Sequence, residues 1–309
     1  MKYAIYKLRF TAPVHFGRNQ LSDSDFVLCS DTVFSALCLE SVHMGEEVLD
    51  ELISYTRSED IQMSDALPYI GDRLLLPKPH VLIEHGKEEN SSILKKAYKK
   101  LKYIALEDFE SYLNGTFDVL GATQLSELGV SSLKVSASVR NEEAEAMPYE
   151  VGTYCFNDGC GLYLIIGYSD EKARALIDLL IDRLQYSGLG GKRSSGYGRF
   201  KYEIIDPNAW LVDRLNSEAD RYMLINTALP TEDELEDIIV TANYSLVKRS
   251  GFVASSSYSD TWLRKKDLVM FASGSCFARK FKGDIYDVST SEGTHAVFRY
   301  GKPMLMRIS

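Results

Sequence analysis

Residues 188–199 run Gly-Leu-Gly-Gly-Lys-Arg-Ser-Ser-Gly-Tyr-Gly-Arg, a G-x-G, five further residues, then a second G-x-G. Glycines let the backbone approach a bulky ligand and take positive φ, and consecutive N–H groups in such turns form an anion nest. Lys192, Arg193, Arg199 and Lys201 add positive charge with no acid before Glu203, so phosphate is the expected guest. The candidate contacts are Gly188, Gly190, Gly191, Lys192, Arg193, Ser194, Gly196, Tyr197, Gly198 and Arg199. The segment is not a Rossmann loop, which opens a helix after a strand, nor a P-loop, which needs G-x-x-x-x-G-K-[ST]. A helix C-cap followed by a basic surface turn is the plainer alternative, and it explains Gly188 but not the other glycines.

Ala12-Pro13-Val14-His15-Phe16-Gly17-Arg18 is the second candidate segment. His15 and Arg18 are its polar candidates for RNA contact, although a lone loop His is more often structural than a general base, which needs a positioned partner. Phe16 can stack on a base, but burial is the commoner fate of Phe. Asp23, Asp25 and Asp31 suit helix capping and loop solvation better than metal ligation, with Asp31 beside Ser30 reading as a cap. His80 with His85, and Cys155 with Cys160, do not match zinc spacing, so no structural metal is expected. No G-x-S-x-G elbow or H-E-x-x-H occurs, and no cofactor is implied. The Lys95, Lys96, Lys99, Lys100 and Lys102 run reads first as a solvated helix face.

These segments need a scaffold, and 309 residues at 45% hydrophobic and 26% charged are ordinary globular proportions. The length favours two domains, set at 1–208 and 209–309. No apolar run is long enough for a membrane helix, and five scattered cysteines in apolar contexts suit a reducing cytoplasm, so a cytoplasmic protein is expected. The net charge of -9 argues against a generally polyanion-binding surface and confines any such site to a local patch.

The positioning elements follow from periodicity. Residues 2–10 alternate as a half-buried strand, and Ser30-Asp31-Thr32 opens a helix through Val33, Phe34, Leu37 and Cys38. Residues 73–83, split by Pro77 and Pro79, read as edge strand or irregular structure. An insertion spans about 84–130, with a Lys-rich helix ending near Asn114-Gly115. Residues 133–139 form a strand, and Asn157-Asp158-Gly159 predicts a hairpin between strands 152–156 and 162–168. Asp170 caps a helix whose apolar face is Ala173, Leu176, Ile177, Leu180 and Leu184, and a strand at 200–205 follows the glycine loop. The order is a βαββαβ unit with an insertion. A polar helical bridge near 208–220 leads to a weaker repeat, with strands at 222–229, 267–271, 276–281 and 296–300 and a helix capped by Thr231 with Glu234. SGFVASSSYSD (250–260) is expected in a surface loop. The fold class is α+β: two ferredoxin-like (RRM-like) βαββαβ units, the second degenerate.

The patterns YKLRF-TAPVHFG, SDTVFSALC, GLGGKRSSGYGRF and terminal VFRYGKPM together resemble the fourth-subunit family of the Csm complex, in the RAMP superfamily of type III-A CRISPR effectors. The resemblance covers both ends and the centre, and residues 84–130 carry none of it. It implies two ferredoxin-like domains and a non-catalytic subunit that binds the 5′ handle of the guide RNA (crRNA). Its implied neighbours are the large polymerase-like subunit and a backbone subunit, with no membrane contact. It also implies that the glycine-rich loop lies against RNA, with Lys192, Arg193 and Arg199 as phosphate contacts, and that an extended hairpin wedges into the guide, 131–160 being a candidate. The rivals are a CRISPR repeat endoribonuclease of the same superfamily and a small-ligand or nucleotide-binding α/β module.

Overall fold

Alternation over the first residues produces β1 (Lys2–Phe10), which pairs on both sides and sits inside the main sheet. The computed structural model describes residues 1–17, 20–83, 92–123, 125–138, 147–255 and 257–309. After β1 come α1 (Ser30–Met44), α2 (Glu46–Arg57), β2 (Ile61–Met63), β3 (Leu67–Ile70) and β4 (Arg73–Pro77). The expected insertion contains α3 (Ser92–Lys100), β5 (Tyr103–Ala105) and α4 (Phe109–Leu113). Then follow β6 (Gly129–Ser138), β7 (Met147–Phe156), β8 (Cys160–Tyr168), α5 (Glu171–Ser187), β9 (Phe200–Ile205) and α6 (Ala209–Asn216). The main sheet is antiparallel in the order β5-β4-β3-β8-β1-β9, with β2 also paired to β8.

Both faces of this sheet are covered. Tyr6, Leu8 and Phe200 pack with α1 and α5 on one face, while Tyr3 and Ile5 join Met223, Met304 and the α6 residue Leu211 on the other. Sandwiched in this way, β8 is buried at every position, as a near-continuous apolar run requires. Helix α5 forms as its sequence predicts: the Asp170 carboxylate accepts from the N–H groups of Lys172 and Ala173 at 2.9 Å. Its Leu176, Ile177, Leu180 and Leu184 are buried, each contributing about 1.5–3 kcal/mol.

Several expectations are corrected. The turn at 157–159 joins β7 to β8, but these strands do not pair with each other: β7 pairs with β6 from Gly129↔Phe156 to Ser138↔Met147, and β8 pairs with β1, β2 and β3. The long Lys-rich helix is two short helices, α3 and α4, with β5 between them extending the main sheet. Residues 73–77 are no edge, since β4 lies between β3 and β5; Pro77 pairs only at its last rung. Cys155 is exposed, so the cysteines do not all sit in apolar surroundings. His85 and the predicted linker at 84–91 lie outside the described residues.

The remaining elements are β10 (Tyr222–Leu224), α7 (Glu232–Ile239), β11 (Leu246–Arg249), β12 (Leu268–Phe271), β13 (Cys276–Phe277), β14 (Ile285–Asp287), β15 (Phe298–Tyr300) and β16 (Leu305–Arg307). They make a three-stranded sheet β13-β10-β16 and two ribbons, β11-β12 and β14-β15. The Thr231–Glu234 capping box is present. Within the loop expected at the surface, Val253 and Tyr258 are buried, because Tyr258 folds back to bond Thr290.

Asp31 is not the cap of α1. The N-cap is Cys29, without a side-chain cap bond, and Asp31 is buried with its carboxylate accepting from Arg249 Nη2 at 2.8 Å and Arg299 Nη1 at 2.6 Å. Beside this pair, Phe34 packs on Tyr300 with ring centroids 5.5 Å apart, and Tyr300 Oη accepts from Met63 N at 3.1 Å. The SDTVFSALC and VFRYGKPM motifs, far apart in the chain, therefore meet in one buried contact that ties the C-terminal strands to α1.

Candidate nucleic-acid interface

Helix α5 ends where Gly188 turns to φ 80° and donates its N–H to Leu184 O at 2.8 Å. The chain then lies down on residues 11–16. Gly191 N donates to His15 O, Gly198 N to Pro13 O and Thr11 N to Arg199 O, each at 2.9 Å, and Leu189 N closes the loop on Gly198 O at 3.0 Å. Ser195 and Gly196 donate to Lys192 O and Arg193 O. Most of these N–H groups thus serve the protein itself. The N–H groups expected to form an anion nest are largely spent on internal bonds, which leaves side chains as the cationic groups of the loop.

The glycines divide by what surrounds them. Gly198, at φ 76°, has Leu189 O only 1.9 Å from where a Cβ would stand, and Gly190 and Gly191 press against Phe16 and the His15 ring. Gly196, at φ 86°, has nothing within 4 Å of that point and faces open space. Three glycines therefore pack the loop onto the scaffold and one permits the outward turn beside Lys192 and Arg193.

His15 is buried beneath the loop, and its Nδ1–H donates to Gly152 O on β7 at 2.7 Å. Gly152 N in turn donates to Leu21 O at 2.8 Å, and Val14 exchanges both backbone bonds with Tyr154 at 2.9 Å. The hairpin base is thereby fixed to the same segment that carries the loop. Two cation–π contacts complete the junction: Lys192 Nζ lies 4.9 Å from the Tyr149 ring centroid, and Lys134 Nζ on β6 lies 5.6 Å from that of Tyr197. Tyr197 is buried and Ser194 exposed. Beyond this junction the hairpin stands away from the core, with Leu133, Val135 and Met147 all exposed.

Charge on β1 and β9 is graded toward the loop. Lys7 faces Glu203 across the ladder and pairs with it at 3.1 Å. Two rungs nearer the loop, exposed Arg9 stands opposite exposed Lys201, a like-charge pair that disfavours folding and gains from a bound anion. Among the described residues, Arg9, Lys134, Lys192, Arg193, Arg199 and Lys201 form no ion pair. The structure thus brings together His15 and every predicted residue of 188–199, whereas Arg18 lies outside the described residues. Sequence reasoning missed Arg9, Lys134 and Tyr149; the Arg9–Lys201 pairing needs the strand register, and a contact between hairpin and loop has no local signal.

Asp25 Oδ1 accepts from Phe26 N at 2.7 Å, and Asp23 is exposed. Among the described residues no cluster of His, Cys, Asp and Glu suits a metal ion. No described helix is long and apolar enough to cross a membrane.

Residues 217–308 match the family model described as the CRISPR Csm4 C-terminal domain. Curated relatives named CRISPR system Cms protein Csm4 include one from Mycobacterium tuberculosis, 38% identical with 95% of this chain and 94% of the relative covered. Another, from Streptococcus thermophilus, is 36% identical with 100% and 99% covered. Among solved structures, a Csm3–Csm4 subcomplex of the type III-A interference complex aligns with TM-score 0.66 at 20% identity, covering 99% of each chain. A Csm1–Csm4 cassette with AMPPNP aligns with TM-score 0.64 at 19% identity, covering 99% of this chain and 97% of that one. At those identities the two structures speak to fold.

Proposed function

The chain belongs to the Csm4 family of type III-A CRISPR subunits, and on that premise we propose that it binds the 5′ handle of the guide RNA through the junction of the glycine-rich loop and the β6–β7 hairpin. The carrying observation is that Lys192 and Lys134 join loop and hairpin into one surface on which Arg193, Arg199, Arg9 and Lys201 lack carboxylate partners among the described residues. Such cations in a chain of net charge -9 mark a local polyanion site. The protruding hairpin, with Leu133, Val135 and Met147 exposed, suits insertion between guide nucleotides.

Strands β9, β1, β8 and β3, in that spatial order with α1 and α5 on one face, support a ferredoxin-like reading of residues 1–208. Residues 209–309 are then the degenerate second unit, attached through the Asp31–Arg299 contact and the core shared around Met223 and Met304. The subunit is non-catalytic in this reading: His15, the His that lies within the family motifs, is held under the loop with Nδ1 committed to Gly152 O. By analogy with assemblies solved for relatives, it contacts a large Csm1-type subunit on one side and a Csm3-type backbone subunit on the other, and acts in the cytoplasm.

Affinity purification of the chain from cells carrying its CRISPR locus tests the proposal. A short RNA of uniform 5′ end should copurify with other complex subunits, and removing residues 131–149 should reduce the RNA recovered. Recovery of the complex without RNA contact to this subunit, judged by ultraviolet crosslinking, would contradict it.

A further inference from the structure

A second basic site lies outside the glycine-rich loop, where four parts of the chain converge. Residues 26–27, the end of β4 with the segment after it, the end of α3 with the start of β5, and Ser273 line a cleft of about 350 Å³. The backbone builds it firmly: Lys78 N donates to Lys102 O at 2.9 Å, and His80 N donates to Gly274 O at 2.8 Å. Gly274, at φ 89°, permits this approach, with Lys78 O 2.5 Å from the position a Cβ would take.

Lys78, Lys99 and Lys102 line the cleft together with His80, and no carboxylate is among the described lining residues. Lys78 Nζ donates to Tyr98 O at 2.6 Å, and none of the three lysines is in an ion pair with a described residue. Burial holds the Lys78 ammonium below its ordinary pKa, and burial together with Lys78 lowers that of His80, so a nearby anion would be stabilising to both as cations. Part of the lining is aromatic: the Phe26 and Tyr103 rings lie 6.0 Å apart, tilted by 55°.

We propose that this cleft binds a nucleotide, its phosphate held by Lys78, Lys99 and Lys102 and its base resting against Phe26 and Tyr103. Lysines alone would suit any anion. The ring pair selects a ligand that joins a phosphate to a flat face, and a cleft of this size accommodates one nucleotide. The nucleotide is either free or one residue of an RNA strand. The site shares no residue with the loop–hairpin surface and does not depend on its assignment.

Fluorescence anisotropy of the full chain with two probes, a fluorescent AMP and a short labelled single-stranded RNA, tests the inference. Lys99 and Lys102 are exposed, so Lys99→Gln with Lys102→Gln should leave the melting temperature unchanged and weaken at least one probe about tenfold, or ~1.4 kcal/mol. Loss of AMP binding identifies a free nucleotide as ligand, and loss of RNA binding alone identifies a nucleotide within a strand. Phe26→Leu should weaken the same probe, and Arg193→Ala with Arg199→Ala should leave AMP binding intact, which separates this site from the loop. No response of either probe to the lysine pair would overturn the inference, even if binding of an acidic partner protein were lost. A lysine effect with no Phe26 effect would also overturn it, leaving only an anion contact.

Discussion

Lys192 Nζ sits 4.9 Å from the ring centroid of Tyr149, a residue on the hairpin strand β7. Lys192 itself takes φ 58°, an uncommon left-handed conformation for a residue other than Gly. Strain at one residue is thus accepted where its cation meets the hairpin, consistent with a surface formed by two elements rather than by the loop alone.

The glycines of the loop should separate on substitution. Gly198→Ala places Cβ against Leu189 O and is expected to lower stability strongly together with RNA binding. Gly196→Ala meets no atom and should cost about 1–2 kcal/mol through its positive φ while the fold is retained. Urea titrations of both variants check this; equal losses would mean that Gly196 is as enclosed as Gly198.

Asp31→Asn should destabilise the chain by about 3–5 kcal/mol, because Arg249 and Arg299 keep their charges while losing the carboxylate between them. The urea midpoint measures it. A loss below about 1 kcal/mol would place the ion pair among those of little net value.

Much of this architecture was legible in the chain. Helix α5 announced itself through Asp170 and its apolar face, and β1 through alternation. The β7–β8 pairing was misread because Asn157-Asp158-Gly159 specifies a turn but not which strands pair across it, and β8 finds its partners in β1 and β3. Asp31 has the residue type and place of a cap, and only the distant Arg299 shows its role. In the C-terminal half, β14 and β16 have three residues each, too few for a period to register. The glycine pattern marks the segment that packs against the hairpin base, but its N–H groups do not form a free anion nest, since the bonds that close the loop lie between segments separated in sequence.

His15→Ala should loosen the loop from the hairpin, costing about 1–3 kcal/mol as Gly152 O loses its donor. RNA bearing a repeat-derived 5′ handle should remain intact with the unmodified chain in Mg²⁺, Mn²⁺ or EDTA. Specific cleavage at a repeat boundary, absent from the His15 variant, would support the endoribonuclease alternative.

The salt dependence of handle-RNA binding tests the central claim most directly. Arg193 and Arg199 have no ion-pair partner among the described residues, so Arg193→Ala with Arg199→Ala should leave stability nearly unchanged. Each lost phosphate contact with a single strand should reduce the slope of log affinity against log salt by about 0.7, giving roughly 1.4 for the pair. A slope unchanged from that of the parent chain would contradict the assignment of RNA to the loop–hairpin surface.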